Sequence, residues 1–387
     1  MKTIAVFFGG RSTEHDVSII TALASIIKPL QLSKQYHVIP VYIARNGAWF
    51  GDEQLTNITL FSSGKIKDYI ERSKPIGVSF DGGLTLLKPG GLSGLKRIKV
   101  DVAFPAMHGT YGEDGSLMGL LDMAGVPYVG CGQAASVLAM DKVLAKLMAQ
   151  AHNIATPKFL YFNRTEIIAD TGSIAKACQK ELKFPLFVKP AHLGSSIGIS
   201  RAGNATELHN AIEVAAHYDD IILVEEAVHN LIEVTLPILG NDSPRPALLE
   251  RPLTSAEDFF DFDTKYLRGG KKGGKKGGVK GAQGYSQLPA ELPKDLYEQA
   301  EHTGLAVYKA LGCSGTARVD MLIDSKTETV YFNEVNPLPG DLYAHNWRTA
   351  GVSGVALVTR LIELAEERHA ARQQQEVAFE TNYLKQF

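Results

Sequence analysis

The segment 317–340, ARVDMLIDSKTETVYFNEVNPLPG, constrains the fold more than any other stretch of the chain. Two parts of it, ARVDMLID and TVYFNEVN, are rich in β-branched and aromatic residues, and the polar stretch SKTE between them indicates a turn. Alternate side chains of a strand point to opposite faces. If the strands pair antiparallel, the pattern predicts a hairpin with one polar face, formed by Arg318, Asp320, Glu334 and Asn336.

Two interpretations of this polar face are open from the strand pattern alone. One is a solvated surface, because buried charged groups must be paired or hydrated. The other is a site for a divalent cation, since Mg²⁺ binds one or two carboxylates together with substrate phosphates. The second interpretation requires groups elsewhere in the chain that bind phosphate.

Length and composition indicate a multidomain globular protein. With 387 residues the chain is too long for one ordinary core, and we expect two or three domains. A charged share of 21% and a formal net charge of -2 give no excess of positive charge of the kind that binds nucleic acid. No uninterrupted apolar segment approaches the roughly 18 residues of a membrane span. Three widely spaced cysteines fit a reducing compartment, so we expect the protein in the cytoplasm.

The first 130 residues have the pattern of an α/β domain. The apolar run TIAVFFGG, which we interpret as a buried strand and not as a signal peptide, precedes a helical pattern and a second strand, HVIPVYIA. This βαβ order predicts a parallel sheet. The stretches GVSFDGG and LTLLKPGG predict a small hairpin. The helix has an apolar stripe formed by Ile19, Ile20, Leu23, Ile26 and Ile27.

The rest of the chain begins with a pattern that predicts one long helix, GQAASVLAMDKVLAKLMAQAHN, with Asp141 and Lys142 near its middle. Further on, FPLFVKPAHLGSSIGISRA predicts a strand, a Gly/Ser loop and a second strand. One low-complexity segment, RGGKKGGKKGGVKGAQG, is expected to be a mobile loop, because dense glycine has a high ordering entropy and the lysines repel each other.

The Gly/Ser loop is a candidate for binding phosphate. Backbone N–H groups of PAHLGSSIGIS can surround an oxyanion, although the spacing is neither that of a P-loop nor that of a dinucleotide fingerprint. An ordinary hairpin with a glycine-rich turn is the alternative. Lys189 favours the phosphate site, because it ends an apolar strand where a buried lysine needs an anionic partner. Lys142 is a weaker candidate, since a lysine on an alanine-rich helix commonly lies on a solvated face.

Other candidate site residues lie in sequence patterns that are less specific for a function. Glu225 and Glu226 end a buried strand and Glu233 follows, an arrangement that suits the adenine edge and ribose of a nucleotide but is common. His108 ends a strand where ligands bind in open α/β sheets, although a lone histidine is commonly structural. No Gly-x-Ser-x-Gly elbow is present, and the cysteines have no convincing catalytic partners.

Seven ordered motifs resemble those of the D-alanine–D-alanine ligase family within the ATP-grasp superfamily. They are GGRSTEHDVS, HGTYGEDGSLMGLLDMAGVPYVG, MDK, VKPAHLGSSIGIS, DFDTKY, ARVDMLID and NEVNPLPG, and they cover about residues 4–365. The resemblance implies an α/β protein of three domains: an N-terminal parallel α/β domain at 1–130, a central ATP-grasp subdomain at 131–227 and a C-terminal one at 228–387. ATP would lie between the last two, under a lid loop at about 264–286.

The resemblance also implies a nucleotide and metal site. The groups holding ATP would be Lys142 and Lys189 at the α- and β-phosphates, Lys265 at the γ-phosphate, Glu226 at the adenine amine and Glu233 at the ribose. Two Mg²⁺ ions, for which Mn²⁺ is an alternative, would be held by Asp320, Glu334 and Asn336. This set suits phosphoryl transfer, in which positioning and charge neutralisation supply most of the rate.

For the substrates, the resemblance implies that one D-alanine is phosphorylated on its carboxylate and that the amine of a second D-alanine attacks the acyl phosphate. Glu14 would anchor the ammonium of the first D-alanine, and His108 would lie beside that substrate. Arg318 and the N–H of Gly340 would stabilise the tetrahedral oxyanion. These roles give the polar face of the hairpin a function in both chemical steps.

The resemblance also implies how the lid closes and which kind of nucleophile reacts. Ser195 and Tyr266 resemble family residues that hydrogen-bond the ammonium-binding glutamate and close the lid over the site. Closure excludes water, to which an acyl phosphate is sensitive. In ligases that make D-alanyl-D-lactate this tyrosine is replaced, so its presence here favours an amine nucleophile.

The segment after Gly340 departs from the family pattern. The family usually has Pro-Gly-Met-Thr followed by Ser-Leu, whereas this chain has NPLPGDLYAHNW. His345, followed by Asn346, stands where the family has the serine that binds the carboxylate of the second substrate. We therefore expect an orthodox first D-alanine site and an altered second site.

The sequence as a whole predicts a ligase that makes D-alanyl-D-alanine for peptidoglycan synthesis. The enzymatic alternative is a related ligase that joins D-alanine, or another amino acid, to a different amine. A catalytically weak nucleotide-binding relative is disfavoured, because every magnesium ligand and phosphate lysine is present. Small-molecule substrates are expected as the partners, without nucleic acid or a membrane, and a homodimer is expected because relatives are commonly dimers.

Overall fold

The computed structural model describes residues 1–90, 94–253, 286–375 and 383–386. Within these residues the chain has a mixed α/β architecture built around separate sheets. The predicted lid, with Lys265 and Tyr266, lies outside the described residues except at its last position, 286.

The N-terminal domain contains the predicted parallel sheet. Strands β1 (Lys2–Gly9), β2 (Tyr36–Ile43), β3 (Trp49–Phe50) and β7 (Val102–Pro105) lie in the order β3-β2-β1-β7. β1 pairs parallel with both β2 and β7, which confirms the βαβ prediction. The predicted hairpin is part of a three-stranded sheet of β4 (Gly77–Ser79), β5 (Thr85–Gly90) and β6 (Gly94–Lys99).

Helix α1 (His15–Ser33) connects β1 to β2 and packs on this sheet. Its apolar stripe is buried except at Ile20, which is 56% exposed because it lies at the edge of the face formed by Ile19 and Leu23. By length and composition α1 is the one described helix that could cross a membrane, with a mean hydropathy of 1.2. Half of that window is buried inside the protein, as is typical of a core helix.

Further helices complete the N-terminal domain and the central region. They are α2 (Ile58–Ser62), α3 (Ile66–Arg72), α4 (Ser116–Met123), α5 (Gln133–Met140), α6 (Lys142–Ala151), α7 (Arg164–Glu181) and α8 (Ala205–Ala215). The central sheet has the order β10-β9-β11-β8, from β8 (Phe159–Asn163), β9 (Leu186–Pro190), β10 (Ser200–Ala202) and β11 (Ile221–Glu226). Helices α7 and α8 bury one face of it. The predicted strand, Gly/Ser loop and strand are thus confirmed as β9, the loop and β10.

The single long helix predicted for this region is wrong. Asp141 has an extended backbone between α5 and α6, with φ -92° and ψ 105°, and its carboxylate accepts hydrogen bonds from the N–H groups of Val143 and Leu144. Aspartate is among the best residues at a helix N-cap, so the chain starts a new helix at Lys142. Both helices pack against the C-terminal sheet, and Val143 of α6 also packs against Leu223 of the central sheet.

The C-terminal sheet carries the hairpin. β12 (Leu231–Leu239), β13 (Arg245–Pro246), β16 (Thr316–Asp324) and β17 (Thr329–Asn336) lie in the order β13-β12-β16-β17. The short strands β14 (Arg251–Pro252) and β15 (Ser286–Gln287) pair with each other. Helices α9 (Lys294–Ala310), α10 (Ala344–Thr349) and α11 (Gly354–Gln373) complete the described fold.

The chain returns to the N-terminal domain after the hairpin. Leu338, Leu342 and Trp347 are buried in the same core as β1 and α1, together with one face of α11. This return brings the residues after Gly340 against helix α1. The N-terminal domain and the hairpin are therefore joined directly at the place where both contribute polar side chains.

Candidate active site

The polar face of the hairpin forms as predicted. β16 pairs antiparallel with β17, and the register places Arg318 opposite Asn336 and Asp320 opposite Glu334. Arg318 donates from Nε to Oδ1 of Asp320 at 2.8 Å and from Nη2 to Oδ2 at 2.5 Å. Asn336 donates to Oδ2 at 3.3 Å. The prediction that these four groups converge is confirmed.

Arg318 is held as a cation by this arrangement. Burial alone would lower the pKa of the guanidinium, but the neighbouring Asp320 carboxylate outweighs burial and raises the pKa above its ordinary value. Thr235 on β12 donates to the same carboxylate at 2.5 Å. The face is therefore a packed polar network, which excludes the interpretation of a loosely solvated surface.

Lys142 reaches this face from the first turn of α6. It is 7% exposed, which excludes the solvated helix face that the sequence left open. Its Nζ donates to the backbone oxygen of Leu193 in the Gly/Ser loop at 2.7 Å and lies 3.4 Å from Oε2 of Glu334. The Asp141 cap fixes where the helix begins and so fixes the position of Lys142. The lysine thereby connects the loop to the hairpin.

Lys189 lies in a buried charge cluster. Its ammonium forms an ion pair with Glu225, and it donates to Oδ1 of Asn333 at 3.3 Å. Lys146, fully buried, contacts the other oxygen of Glu225 at 2.9 Å, although not along a straight hydrogen bond. Burial would raise the pKa of Glu225, but the two ammonium groups outweigh burial and hold it at about 2. Two lysines thus share one buried carboxylate, and burial lowers the pKa of Lys146 against the opposing charge of Glu225.

Lys146 was not predicted as a site residue, and Glu225 was considered only for a nucleotide and not as a partner of the lysines. Lys146 follows Lys142 by four positions and so lies on the same helix face, which is the signal that was available. Glu225 lies on the same strand face as Leu223, and Leu223 is paired with Lys189 on the neighbouring strand. Glu226 points to the opposite face, where its carboxylate accepts the N–H of Lys183 at 2.9 Å. Strand alternation therefore separates Glu226 from the lysines and joins Glu225 to them.

Glu233 lies on β12 and shares a face with Thr235. Thr235 is paired with Asp320 in the register and hydrogen-bonds it. Glu233, which was predicted to bind the ribose, is thus two residues along β12 from the residue that contacts the polar face of the hairpin. Its position is compatible with a ligand that extends from that face.

Glu14 is brought to the Gly/Ser loop, as expected. The hydroxyl of Ser195 donates to its carboxylate. A side chain at Gly109 would lie 2.9 Å from Oε2 of Glu14, and the φ of Gly109 is +69°, so only glycine fits there. Burial, followed by the charge of Glu113, raises the pKa of Glu14 against the opposing Ser195 hydrogen bond.

His108 is completely buried beside this carboxylate. Its Nε2 lies 2.9 Å from Oγ1 of Thr21, and its Nδ1 lies 3.9 Å from Oε2 of Glu113. Burial would lower the pKa of His108, but the carboxylate of Glu113, followed by the charge of Glu14, outweighs burial and raises the pKa. Glu113, which also accepts the N–H of Gly109 at 2.7 Å, was not predicted. The pocket thus contains two carboxyl groups around one imidazole.

His192 fixes the start of the Gly/Ser loop. Its ring contacts Oδ1 of Asp219 at 2.9 Å and Oδ2 of Asp141 at 3.2 Å, and its backbone N–H donates to Asp219 at 2.7 Å. The hydrogen bond with Asp141, then that with Asp219, raises the pKa of His192 to about 10. A protonated ring between two carboxylates therefore ties the loop to the cap of α6. This contact was not predicted.

The segment after Gly340 contains the two residues predicted at the second-substrate site. Nε2 of His345 lies 2.8 Å from Oε2 of the buried Glu250. Asn346 is fully buried. Its amide oxygen accepts a hydrogen bond from the backbone N–H of Leu248 at 3.1 Å, and its amide nitrogen donates one to the backbone oxygen of Leu248 at 2.8 Å. Its amide is thus used inside the protein, so the structure does not support contact between Asn346 and a substrate. His345 remains partly accessible.

Two family profiles match most of the chain. Residues 3–131 match the one described as D-ala D-ala ligase N-terminus, and residues 148–363 match the one described as D-ala D-ala ligase C-terminus. The chain belongs to the D-alanine–D-alanine ligase family. Membership in this family gives it the ATP-grasp architecture.

Individual members of the ligase family agree over nearly the whole length. The "D-alanine--D-alanine ligase" of Chloroherpeton thalassium is 35% identical over 378 residues, which are 96% of this chain and 98% of that protein. The enzyme of the same name from Chlorobaculum tepidum is 38% identical over 387 residues, covering 95% and 98%.

Solved structures of ligases give the same result. The D-alanine-D-alanine ligase from Coxiella burnetii has a TM-score of 0.77 at 27% identity, covering 97% of this chain and 98% of that one. The VanG D-Ala:D-Ser ligase from Enterococcus faecalis has a TM-score of 0.75 at 32% identity, covering 94% and 99%. The second substrate named for the first of these ligases is D-alanine, and that named for the other is D-serine.

Proposed function

We propose that this protein is an ATP-dependent ligase that joins two D-alanines through a D-alanyl phosphate, for peptidoglycan precursor synthesis. Family membership makes it a carbon–nitrogen ligase. The observation that carries the proposal is the convergence of three elements: the hairpin face at Arg318 and Glu334, the buried Lys142, and Glu14 with Ser195 across the Gly/Ser loop. In such a site a carboxylate substrate would lie between groups that bind phosphate and an arginine that would stabilise an oxyanion.

ATP would be held by positive charge and by the Gly/Ser loop. Lys142 and Lys189 are both buried, and each forms an ion pair with a carboxylate that fixes the direction of its side chain. Glu226 and Glu233 are proposed for the adenine amine and the ribose, and Lys265 for the γ-phosphate. Neutralising the phosphates is the main contribution a protein makes to phosphoryl transfer.

The metal site is proposed at Asp320, Glu334 and Asn336. These side chains offer oxygen atoms on one face, which is the donor set that Mg²⁺ prefers, and Mn²⁺ would suit the same oxygens. In the part of the chain that the structure describes, no group of three or more His, Cys, Asp or Glu could hold a metal alone. Two carboxylates and an amide therefore fit ions that complete their coordination with substrate phosphates. When bound, two Mg²⁺ ions would neutralise charge on the phosphate oxygens.

The chain's own residues divide between two steps. In the first, Glu14 binds the ammonium of one D-alanine with His108 beside it, while a carboxylate oxygen of that D-alanine forms a bond to the γ-phosphorus and the bond to ADP breaks. In the second, the amine nitrogen of the other D-alanine bonds to the acyl carbon. The carbonyl electron pair moves to oxygen, where Arg318 and the N–H of Gly340 stabilise it. Collapse expels phosphate, and the nitrogen releases its proton to water or phosphate.

A second candidate function differs only in the nucleophile. His345 lies against the carboxylate of Glu250 where the family has a serine, and one similar structure is titled a D-Ala:D-Ser ligase. A ligase that joins D-alanine to another D-amino acid would use the same first site. The Glu14 and hairpin geometry does not distinguish the two functions.

The test is ADP release by the purified protein with Mg²⁺, ATP and single D-amino acids or D-lactate, followed by mass spectrometry of the product. We expect D-alanine alone to give ADP and D-alanyl-D-alanine in equal amounts. Faster turnover when a second D-amino acid is added would favour the second candidate. ADP release that does not depend on any D-amino acid would contradict both.

Two further expectations concern the cell. We propose that the enzyme acts in the cytoplasm, where its nucleotide substrate is found, and that it is a homodimer. Light scattering after size-exclusion chromatography measures the second point. A mass of one chain across the working concentrations would contradict it.

A further inference from the structure

Three consecutive residues after Gly340 have left-handed backbone conformations, although none of them is glycine. The value of φ is 56° at Asp341, 50° at Leu342 and 52° at Tyr343. In this conformation Cβ approaches the following carbonyl oxygen, so residues with side chains adopt it singly and rarely in runs. Strained backbone of this kind persists where surrounding contacts hold it, and it concentrates at active sites and ligand clamps. The contacts of this turn therefore indicate its role.

The first two residues fasten the turn to the N-terminal domain. The N–H of Asp341 donates to Oγ1 of Thr21 at 3.0 Å, and its carboxylate accepts from the hydroxyl of Ser25. Leu342 is 1% exposed and belongs to the core of that domain. Thr21 also contacts His108. The turn is thus anchored on the helix that borders the first-substrate pocket.

The third residue faces the hairpin. The guanidinium carbon of Arg318 lies over the ring of Tyr343 at 5.2 Å from the centroid. On its other side Arg318 is bonded through Nε and Nη2 to Asp320. The ring of His345 lies against Tyr343 at a centroid distance of 4.7 Å. Arg318 is therefore fixed from two directions, by a carboxylate and by an aromatic face.

The tyrosine ring suits this contact because it is neutral. Burial raises the pKa of Tyr343 to about 12, against the opposing charge of Arg318. A neutral ring attracts a cation through its quadrupole, and the attraction increases when both groups are removed from water. The ring also limits the directions in which the arginine can swing.

We propose that Tyr343 is a positioning residue that holds Arg318 for the second chemical step. The left-handed turn presents the tyrosine ring, and its anchors on α1 set the ring relative to the first substrate. This inference rests on the function proposed above. In that function Arg318 acts on the oxyanion that forms when the amine attacks the acyl phosphate, whereas formation of the acyl phosphate depends on the lysines and the carboxylates of the hairpin. Loss of Tyr343 should therefore slow the second step selectively.

The test measures the two steps separately in Tyr343→Leu, Tyr343→Met and Tyr343→Phe. Reversible formation of the acyl phosphate is followed by positional exchange of an oxygen-18 label placed in the β–γ bridge of ATP, in the presence of D-alanine. Overall ligation is followed as dipeptide. We expect Leu and Met to lower dipeptide formation about tenfold with label exchange changed less than about threefold, because the aromatic face is lost. Phe, which keeps the face, should recover dipeptide formation to within about threefold of wild type.

Arg318→Ala is the matched control and should reproduce the selective loss. Equal loss of exchange and ligation in both the Leu and Met variants would overturn the inference, as would a Phe variant as slow as Leu. If Arg318→Ala leaves ligation intact, the oxyanion role of Arg318 fails and the inference fails with it. If the wild-type enzyme exchanges no label with D-alanine, the proposed function itself fails.

Discussion

The hairpin of β16 and β17 and the turn that follows it are neighbours in the chain, but they are held by different partners. The hairpin face is fixed by strand register, which sets Arg318 opposite Asn336 and Asp320 opposite Glu334. The turn is fixed by contacts with residues of the N-terminal domain, such as Thr21. The hairpin also follows the family pattern, whereas the turn departs from it.

We infer from this difference how a ligase of this family could keep its chemistry while its nucleophile varies. Strand pairing holds the groups proposed for the metal and the oxyanion in a register that tolerates little change, because a slip of one residue would send them to the other face. A turn that depends on a few side-chain contacts can change without disturbing that register. The left-handed residues carry a strain of about 1–2 kcal/mol each, which those contacts have to offset. Four predictions test this contrast.

The largest effect is expected from the hairpin face. Asp320→Asn removes a carboxylate that is both a proposed metal ligand and the partner of Arg318. We expect kcat/KM for ligation to fall about 10³-fold, because charge stabilisation in both steps is lost. Glu328→Gln, in the exposed turn of the same hairpin, is the matched control and should retain wild-type activity. A fall of less than tenfold in Asp320→Asn would break the assignment of this face.

The next effect concerns the buried lysine that the sequence pattern did not reveal. Lys146→Met keeps most of the length of the side chain but leaves Glu225 with Lys189 as its lysine partner. We expect KM for ATP to rise about tenfold, because Glu225 then competes with phosphate for Lys189, and the free energy of unfolding to fall by about 2 kcal/mol. Steady-state kinetics and urea unfolding measure the two quantities. Lys180→Met, on the surface of α7, is the control, and an Lys146→Met enzyme as stable as wild type would contradict the account.

A smaller effect is expected on the turn side of the comparison. His345→Ser restores the family's residue and removes the partner of Glu250. We expect KM for the second D-alanine to change about fivefold, with label exchange in the first step unaltered. Assays with several D-amino acids show whether nucleophile preference changes as well. If exchange falls as much as ligation, His345 supports the whole site and the contrast between hairpin and turn is lost.

The smallest effect concerns the pH dependence of stability through His192. Its pKa is raised from 6.5 to about 10 by Asp141 and Asp219. A raised pKa in the folded state contributes stability that is complete below pH 6.5 and is lost as the pH rises to about 10. The stability difference between wild type and His192→Gln, measured by urea unfolding, should therefore shrink over this range. His217→Gln, an exposed histidine on the same subdomain, is the control, and a difference that is constant with pH would contradict the prediction.

Much of the hairpin side could be predicted because alternation along a strand is a local property. The sequence pattern was sufficient for the shared face of Arg318 and Asp320, for the parallel sheet around α1 and for the loop between β9 and β10. The family resemblance added Glu14, whose contact with Ser195 joins residues far apart in the chain. These features depend on periodicity or on motifs.

Other features depend on tertiary contacts that no local pattern contains. The break between α5 and α6 follows from one aspartate cap inside an otherwise continuous helical pattern. The roles of Glu225 and Glu113 follow from which buried cations or imidazoles they meet. The left-handed turn could not be predicted either, since none of its three residues is glycine and its anchors lie in another domain.

The proposed ligase activity is best tested by mass spectrometry of the product formed by the enzyme from ATP, Mg²⁺ and an equimolar mixture of D-amino acids. We expect every product to have D-alanine at its amino end, because Glu14 and the hairpin are proposed to form the site of the first D-alanine, and we expect D-alanine among the residues at the carboxyl end. Products with other residues at the amino end, or ADP formed without any dipeptide, would contradict it.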